Sequence, residues 1–188
     1  MEALLTTFIA AALAEWGDKT QLLVVALAAR YGKAGPILLG VAVAALANSL
    51  IAAAGGILVN GYIVLRAISL LIAVALIFAG IAGLIGGKAP EAGRDWGRGA
   101  FLAAAGGFFI LEFGDKTQFL TFALAAQFNS LPLAAAGATA GIIVSCAPAA
   151  VLGPELGRHV PLKAVRIGVG ALFLLVGVVV AINALRLV

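Results

Sequence analysis

Glu15-Trp16-Gly17-Asp18-Lys19-Thr20-Gln21 returns 97 residues later as Glu112-Phe113-Gly114-Asp115-Lys116-Thr117-Gln118, with six of seven positions identical. Carried on to residue 29, the comparison holds at 11 of 15 positions, adding Leu23, Ala26, Leu27, Ala28 and Ala29. Chance does not produce such a match in a chain of 188 residues, so the sequence is read as two homologous halves. Both copies lie in sequence that is otherwise almost free of charge. The chain is 64% hydrophobic and 11% charged, with a mean hydropathy of +1.19, whereas soluble domains carry about 25% charged residues.

That composition excludes a soluble globule and, for want of polar residues, a disordered chain. One cysteine, Cys146, excludes a disulfide framework. The net charge of +4 comes from scattered Lys and Arg rather than one basic face, so nucleic acid is not an expected partner. The lipid bilayer is. Turn signals and uncharged stretches divide the chain into six segments long enough to cross it, about 3–29, 36–58, 63–86, 98–127, 132–153 and 163–187. Tyr31-Gly32-Lys33-Ala34-Gly35-Pro36 and Asn129-Ser130-Leu131-Pro132 are clear breaks. Asn60-Gly61-Tyr62 is a weaker one, since residues 34–65 carry no charge and allow one long helix bent at Gly55-Gly56; Arg66 and the Asn-Gly pair favour a turn.

With six spans, the loops after the first, third and fifth share one side and hold Arg30, Lys33, Lys88, Arg94, Arg98, Arg158, Lys163 and Arg166. The other side has Arg66 and Arg186, so the positive-inside rule puts both termini outside the cytoplasm. Ala12-Leu13-Ala14 imitates a signal-peptide cleavage site, but no basic residue precedes the apolar run and cleavage there would destroy the first repeat. The expected fold is all-α and membrane-integral. It has a three-helix repeat at 1–86, a cytoplasmic linker at 87–97 with Trp96 as an interfacial anchor, and a second three-helix repeat at 98–188. Because three spans are an odd number, the second half enters from the opposite side, giving an inverted repeat.

Both motifs fall near the bilayer midplane, where a charge costs roughly 2.5 to 3.5 kcal/mol on insertion scales. Six charged residues sit there, and four of the chain's eight acidic residues are among them: Glu15, Asp18, Glu112 and Asp115. Glu and Asp three apart share a helical face, and inversion of the repeat brings the four carboxylates together. Gln21 and Gln118 continue that stripe. Gly17 and Gly114 permit close approach or local unwinding, and Thr20 and Thr117 either bond back to the preceding turn or offer hydroxyl ligands. Asn48 and Ser145, also 97 apart, place a polar side chain mid-span in each half, either completing a coordination shell or bonding neighbouring helices.

The simplest structural account pairs Glu15 with Lys19 and Glu112 with Lys116 at i,i+4 spacing. It leaves two negative charges unbalanced, and hydrocarbon does not tolerate them without a counter-ion or protons. Oxygen ligands suit hard cations such as calcium, magnesium and manganese. Softer ligands are nearly absent: His159 reads as a solvated loop residue, Cys146 as packing, and Met1 is terminal. Competition between a dication and protons for clustered carboxylates is antiport, and rocking of two halves about a central site supplies alternating access. No nucleotide-binding motif is present to imply ATP use.

Two copies of Glu-x-Gly-Asp-Lys-Thr in oppositely oriented three-helix halves resemble the GDT family of calcium and manganese transporters. Its small bacterial members are manganese exporters, and its eukaryotic relatives serve the Golgi and chloroplast. The resemblance covers the whole architecture, with identity concentrated at 15–21 and 112–118. It implies exchange of Mn2+ or Ca2+ for protons, export from the cytoplasm, residence in a bacterial plasma membrane and no prosthetic group. It further implies a metal site of Glu15, Asp18, Glu112 and Asp115, supported by Lys19, Thr20, Gln21, Lys116, Thr117, Gln118, Asn48 and Ser145. The central linker is shorter than in larger relatives and lacks their long acidic segment. The main alternative is a passive cation or proton channel lined by the same carboxylates. An intramembrane hydrolase lacks a nucleophile and a metal-binding histidine pair, so no enzyme activity is expected.

Overall fold

In the computed structural model, residues 1–87 and 99–185 are described, and every regular element among them is helical. The segments expected at 36–58, 63–86, 132–153 and 163–187 are the helices α3 (Ala34–Asn60), α4 (Leu65–Ile85), α7 (Leu131–Leu152) and α9 (Leu162–Leu185). Each is long and apolar enough to cross a membrane, α7 together with the short turn and helix α8 (Leu156–His159) that extend it. Helix α3 runs unbroken through Gly55-Gly56 and ends at Asn60, so the Asn-Gly turn is real. The linker and Trp96, Lys88, Arg94 and Arg98, and likewise Arg186, lie outside the described residues apart from Gly87.

The first and fourth segments differ from simple rods. Each is broken at its motif, into α1 (Glu2–Glu15) and α2 (Lys19–Tyr31), and into α5 (Ala100–Glu112) and α6 (Lys116–Phe128). The break is written locally. Gly17 and Gly114 adopt φ +72° and +76°, a left-handed conformation that interrupts the helix and favours glycine. Asp18 and Asp115 then start the next helix from extended N-cap positions. Gln21 and Gln118, at the third helical position, reach back to accept the Gly17 and Gly114 amides at 2.8 and 2.6 Å, a displaced form of the capping box.

The element order α1-α2-α3-α4 recurs at a spacing of 97 as α5-α6-α7-α9, and so do individual contacts. A Cβ on Gly40 of α3 would lie 2.5 Å from the Phe101 carbonyl oxygen of α5. One on Gly137 of α7 would lie 2.3 Å from the Leu4 carbonyl oxygen of α1, each residue being 97 from its counterpart. Glycine there lets backbones meet, the packing device of apolar bundles. Helices α4 and α9 form a tight pair in which a Cβ on Gly80 would meet the Gly170 carbonyl oxygen at 2.8 Å.

The ends of the bundle are defined by which termini meet. Arg66, at the start of α4, donates to the Ala184 and Leu185 carbonyls at the end of α9 (2.7 and 3.0 Å), a cationic C-cap. Asn60 donates to Ala126 near the end of α6 at 2.7 Å. This is the terminal face, on which the chain begins. The loop face holds the α2–α3 turn, the end of α4 and the α8 turn. The α4–α9 pair packs firmly on α6 and more lightly on α1, the half-helices of the terminal face. It makes at most marginal contact with α2 and α5, the half-helices of the loop face, and a crevice opens there.

Candidate metal centre

The two helix breaks face one another in the middle of the bundle. Glu15 and Glu112 are the last residues of α1 and α5, while Asp18 and Asp115 precede the first turns of α2 and α6. Carbonyl ends of two half-helices and amide ends of two others thus converge. The amide ends favour the aspartate charges and the carbonyl ends favour a cation.

The i,i+4 ion pairs of the simplest structural account are not formed. Lys116 pairs instead with Asp18 at 2.5 Å, and Lys19 with Asp115 at 3.2 Å, so each lysine crosses to the other motif. The break explains this. With Gly17 or Gly114 left-handed, Glu15 and Lys19 no longer belong to one continuous helix, and the i,i+4 relation that would align them is lost. The pairs differ in exposure. The Lys116 and Asp18 side chains are 3% and 5% exposed, those of Lys19 and Asp115 28% and 13%.

With both lysines engaged by aspartates, the glutamates are left to other partners. Glu15 accepts the Thr20 hydroxyl within its own motif and the Thr117 hydroxyl, at 2.6 Å, from the other. Glu112 is fully buried with both carboxylate oxygens lacking a hydrogen-bond donor among the described residues, although Glu15, Asp18, Asp115 and Lys116 all lie within electrostatic reach. An orphaned buried carboxylate is costly, and a cation or a proton is what relieves it. Among the described residues, no three Asp, Glu, His or Cys side chains are arranged to hold a metal ion. The four carboxylates are linked instead through the two cross-motif lysine pairs and the electrostatic reach of Glu112.

The remaining expected residues form a supporting frame. Gln21 donates to the Ser145 carbonyl at 2.6 Å and Gln118 to the Asn48 carbonyl at 3.4 Å, the same contact in each half. The Ser145 hydroxyl bonds within its own helix, to Ile142, and the Asn48 amide donates to the Phe109 carbonyl at 3.3 Å. Asn48 Oδ1 is buried without a donor and is the only orphaned oxygen among these supporting side chains. Cys146 is buried in the core as a packing residue, and His159 is exposed at the end of α8.

From the loop face a cavity of about 300 Å3 reaches Asp18, Lys19, Asp115 and Lys116, walled by Phe78, Ile81, Ala82 and Ile85 of α4. Phe78 meets Phe119 edge-on with ring centroids 6.0 Å apart, and a second, mostly apolar cavity between α3, α4 and α6 also reaches Gly114, Asp115 and Gln118. Arg166 is the residue here that sequence patterning undervalues. It counts there as one loop-side charge, yet its guanidinium lies against Gly86 and its Nε is buried without a partner among the described residues. With Trp16 and Lys116 it encloses a small space behind the break. The signal was the failed repeat: 97 residues earlier stands Ser69.

An all-helical membrane protein with two broken helices meeting at duplicated acidic motifs has the form of an ion transporter. The family model for the divalent cation/proton antiporter GDT1 matches residues 3–91 and 100–187, and the chain belongs to that family. A protein of Vibrio cholerae serotype O1 named "Putative manganese exporter" is 36% identical to it over 184 residues, covering 96% of this chain and 91% of the relative. No solved structure matches the chain.

Proposed function

We propose that this chain is a secondary transporter exchanging Mn2+ or Ca2+ for protons, exporting the metal, with Glu15, Asp18, Glu112 and Asp115 as the metal-binding carboxylates. The observation that carries this reading is Glu112, a buried carboxylate with no donor, set among three others. Four carboxylates against two ammonium groups leave a deficit of two positive charges, which one dication or two protons make good. That equivalence is the basis of exchange. Family membership supports the cation/proton pairing, and the name of the Vibrio cholerae relative supports manganese and export.

The transporter works, on this reading, as two inverted three-span repeats. In each repeat α1–α2 or α5–α6 acts as one interrupted span, and both termini are extracytoplasmic. The basic residues of the loop face make that face cytoplasmic. The crevice along α4 is then the route from the cytoplasm, and Phe78, in contact with Phe119, stands between it and the cavity that reaches Asp115 from among α3, α4 and α6. Rocking of the α4–α9 pair toward α2 and α5 would exchange the two accesses.

Purified protein in proteoliposomes tests this. Mn2+ flux is expected to saturate with concentration, to accelerate under an opposing pH gradient, and to release protons in proportion to metal moved. Glu112→Gln, which keeps the size of the side chain and strands no lysine, is expected to lower coupled flux at least a hundredfold while leaving a monodisperse protein. Conductive, voltage-driven flux indifferent to pH would make the chain a passive channel, and near-normal exchange by Glu112→Gln would remove the carboxylate site.

A further inference from the structure

We infer that the two motif lysines are resident counter-cations of the site and that Lys19 in particular is a displaceable one, leaving Asp115 when a metal ion binds and returning to expel it. The inference rests on the metal reading of the carboxylates proposed above. Its own evidence is the pattern of the ion pairs. Each ammonium group sits against the aspartate of the opposite motif, where a bound cation is expected. Like charges cannot share that position in a low-dielectric interior, so metal binding and lysine pairing compete.

The two lysines are not equivalent competitors. Lys116 is enclosed, its side chain and that of Asp18 almost wholly out of contact with solvent. Lys19 has somewhere to go. It lines the loop-side cavity together with the end of α4, and its stem runs beside Gly87, whose Cβ position would lie 3.2 Å from Lys19 Cβ. All four members of the two ion pairs border this cavity, and the Lys19–Asp115 pair is the more exposed of the two. Withdrawal of the Lys19 ammonium along this wall frees one carboxylate toward the crevice, while the Lys116–Asp18 pair stays in place between the motifs. Lys19 is therefore a positioning residue: it holds Asp115 while the site is unloaded, and it limits how tightly the metal is held.

The test is Mn2+ binding to full-length protein in detergent, followed by electron paramagnetic resonance of free Mn2+, together with Mn2+ transport in proteoliposomes. Lys19→Met keeps the apolar stem and removes the competing charge. It is expected to bind Mn2+ about tenfold more tightly than wild type and to turn over at least tenfold more slowly, whereas Lys19→Arg stays within threefold of wild type in affinity. A merely structural role would not tighten binding while slowing turnover. Lys19→Gln provides a second uncharged variant should Lys19→Met aggregate, with the same expected direction. Wild-type protein that binds Mn2+ while both uncharged variants bind it equally or more weakly would overturn the lysine inference alone. Wild-type protein that binds neither Mn2+ nor Ca2+ would overturn the metal reading and this inference with it.

Discussion

Two glycines with the same backbone conformation are not under the same constraint. A Cβ at Gly17 would lie 2.4 Å from the Leu162 carbonyl oxygen of α9, while one at Gly114 meets nothing within 4 Å. A left-handed φ alone costs an L-residue about 1 kcal/mol, and overpacking against backbone adds about 1–3 kcal/mol. Gly114→Ala is therefore expected to lower stability by about 1 kcal/mol and Gly17→Ala by about 2–4 kcal/mol, checked by thermal unfolding in one detergent. The repeat made both glycines visible in the sequence, and the charge count drew attention to the four carboxylates as a group. The partners were not legible. Whether Lys116 reaches Glu112 or Asp18 depends on how two breaks face each other across the bundle, a juxtaposition of residues about a hundred positions apart that no local periodicity encodes. Thr117, which donates to Glu15 rather than to its own motif, is hidden for the same reason.

At the scale of elements, the four long apolar helices were legible because long uncharged runs leave few alternatives, and Pro36 and Pro132 mark helix starts. The interruptions were foreshadowed only as a permissive effect of Gly17 and Gly114. What fixes them is the combination of left-handed glycine, extended aspartate and a glutamine folded back on the glycine amide. The asymmetry of packing was not legible at all, since the repeat predicts equal neighbours for α2 and α6. A Cβ at Gly56 would lie 2.2 Å from the Phe122 carbonyl oxygen of α6, but one at its counterpart Gly153 comes no closer than 3.5 Å to α2. The crevice beside α2 has a direct consequence. In a Cys146→Ala background, a cysteine replacing Ala82 is expected to react with a membrane-impermeant thiol reagent added to the cytoplasmic face, and at least tenfold more slowly with reagent added outside. Equal labelling from both faces would contradict a crevice that opens Ala82 to the loop face.

For the whole molecule, the account reduces to an apolar bundle that tolerates six charges at its centre because it is built to exchange the ions that neutralise them. Four carboxylates and two lysines form a set that is incomplete by itself, and Glu112 is where the deficit is visible. The proposed sidedness of the termini rests on the basic residues of the loop face, and the proposed export on the name of the Vibrio cholerae relative. The central claim, that the missing charge is a metal held between the two helix breaks, is tested most directly by anomalous scattering from crystals of the protein grown with Mn2+. The account predicts one strong peak between the α1–α2 and α5–α6 interruptions, in contact with Glu112 and at least one carboxylate of the first motif, with Lys19 withdrawn from Asp115. A peak elsewhere, or none at saturating Mn2+ with both cross-motif lysine pairs intact, would contradict it.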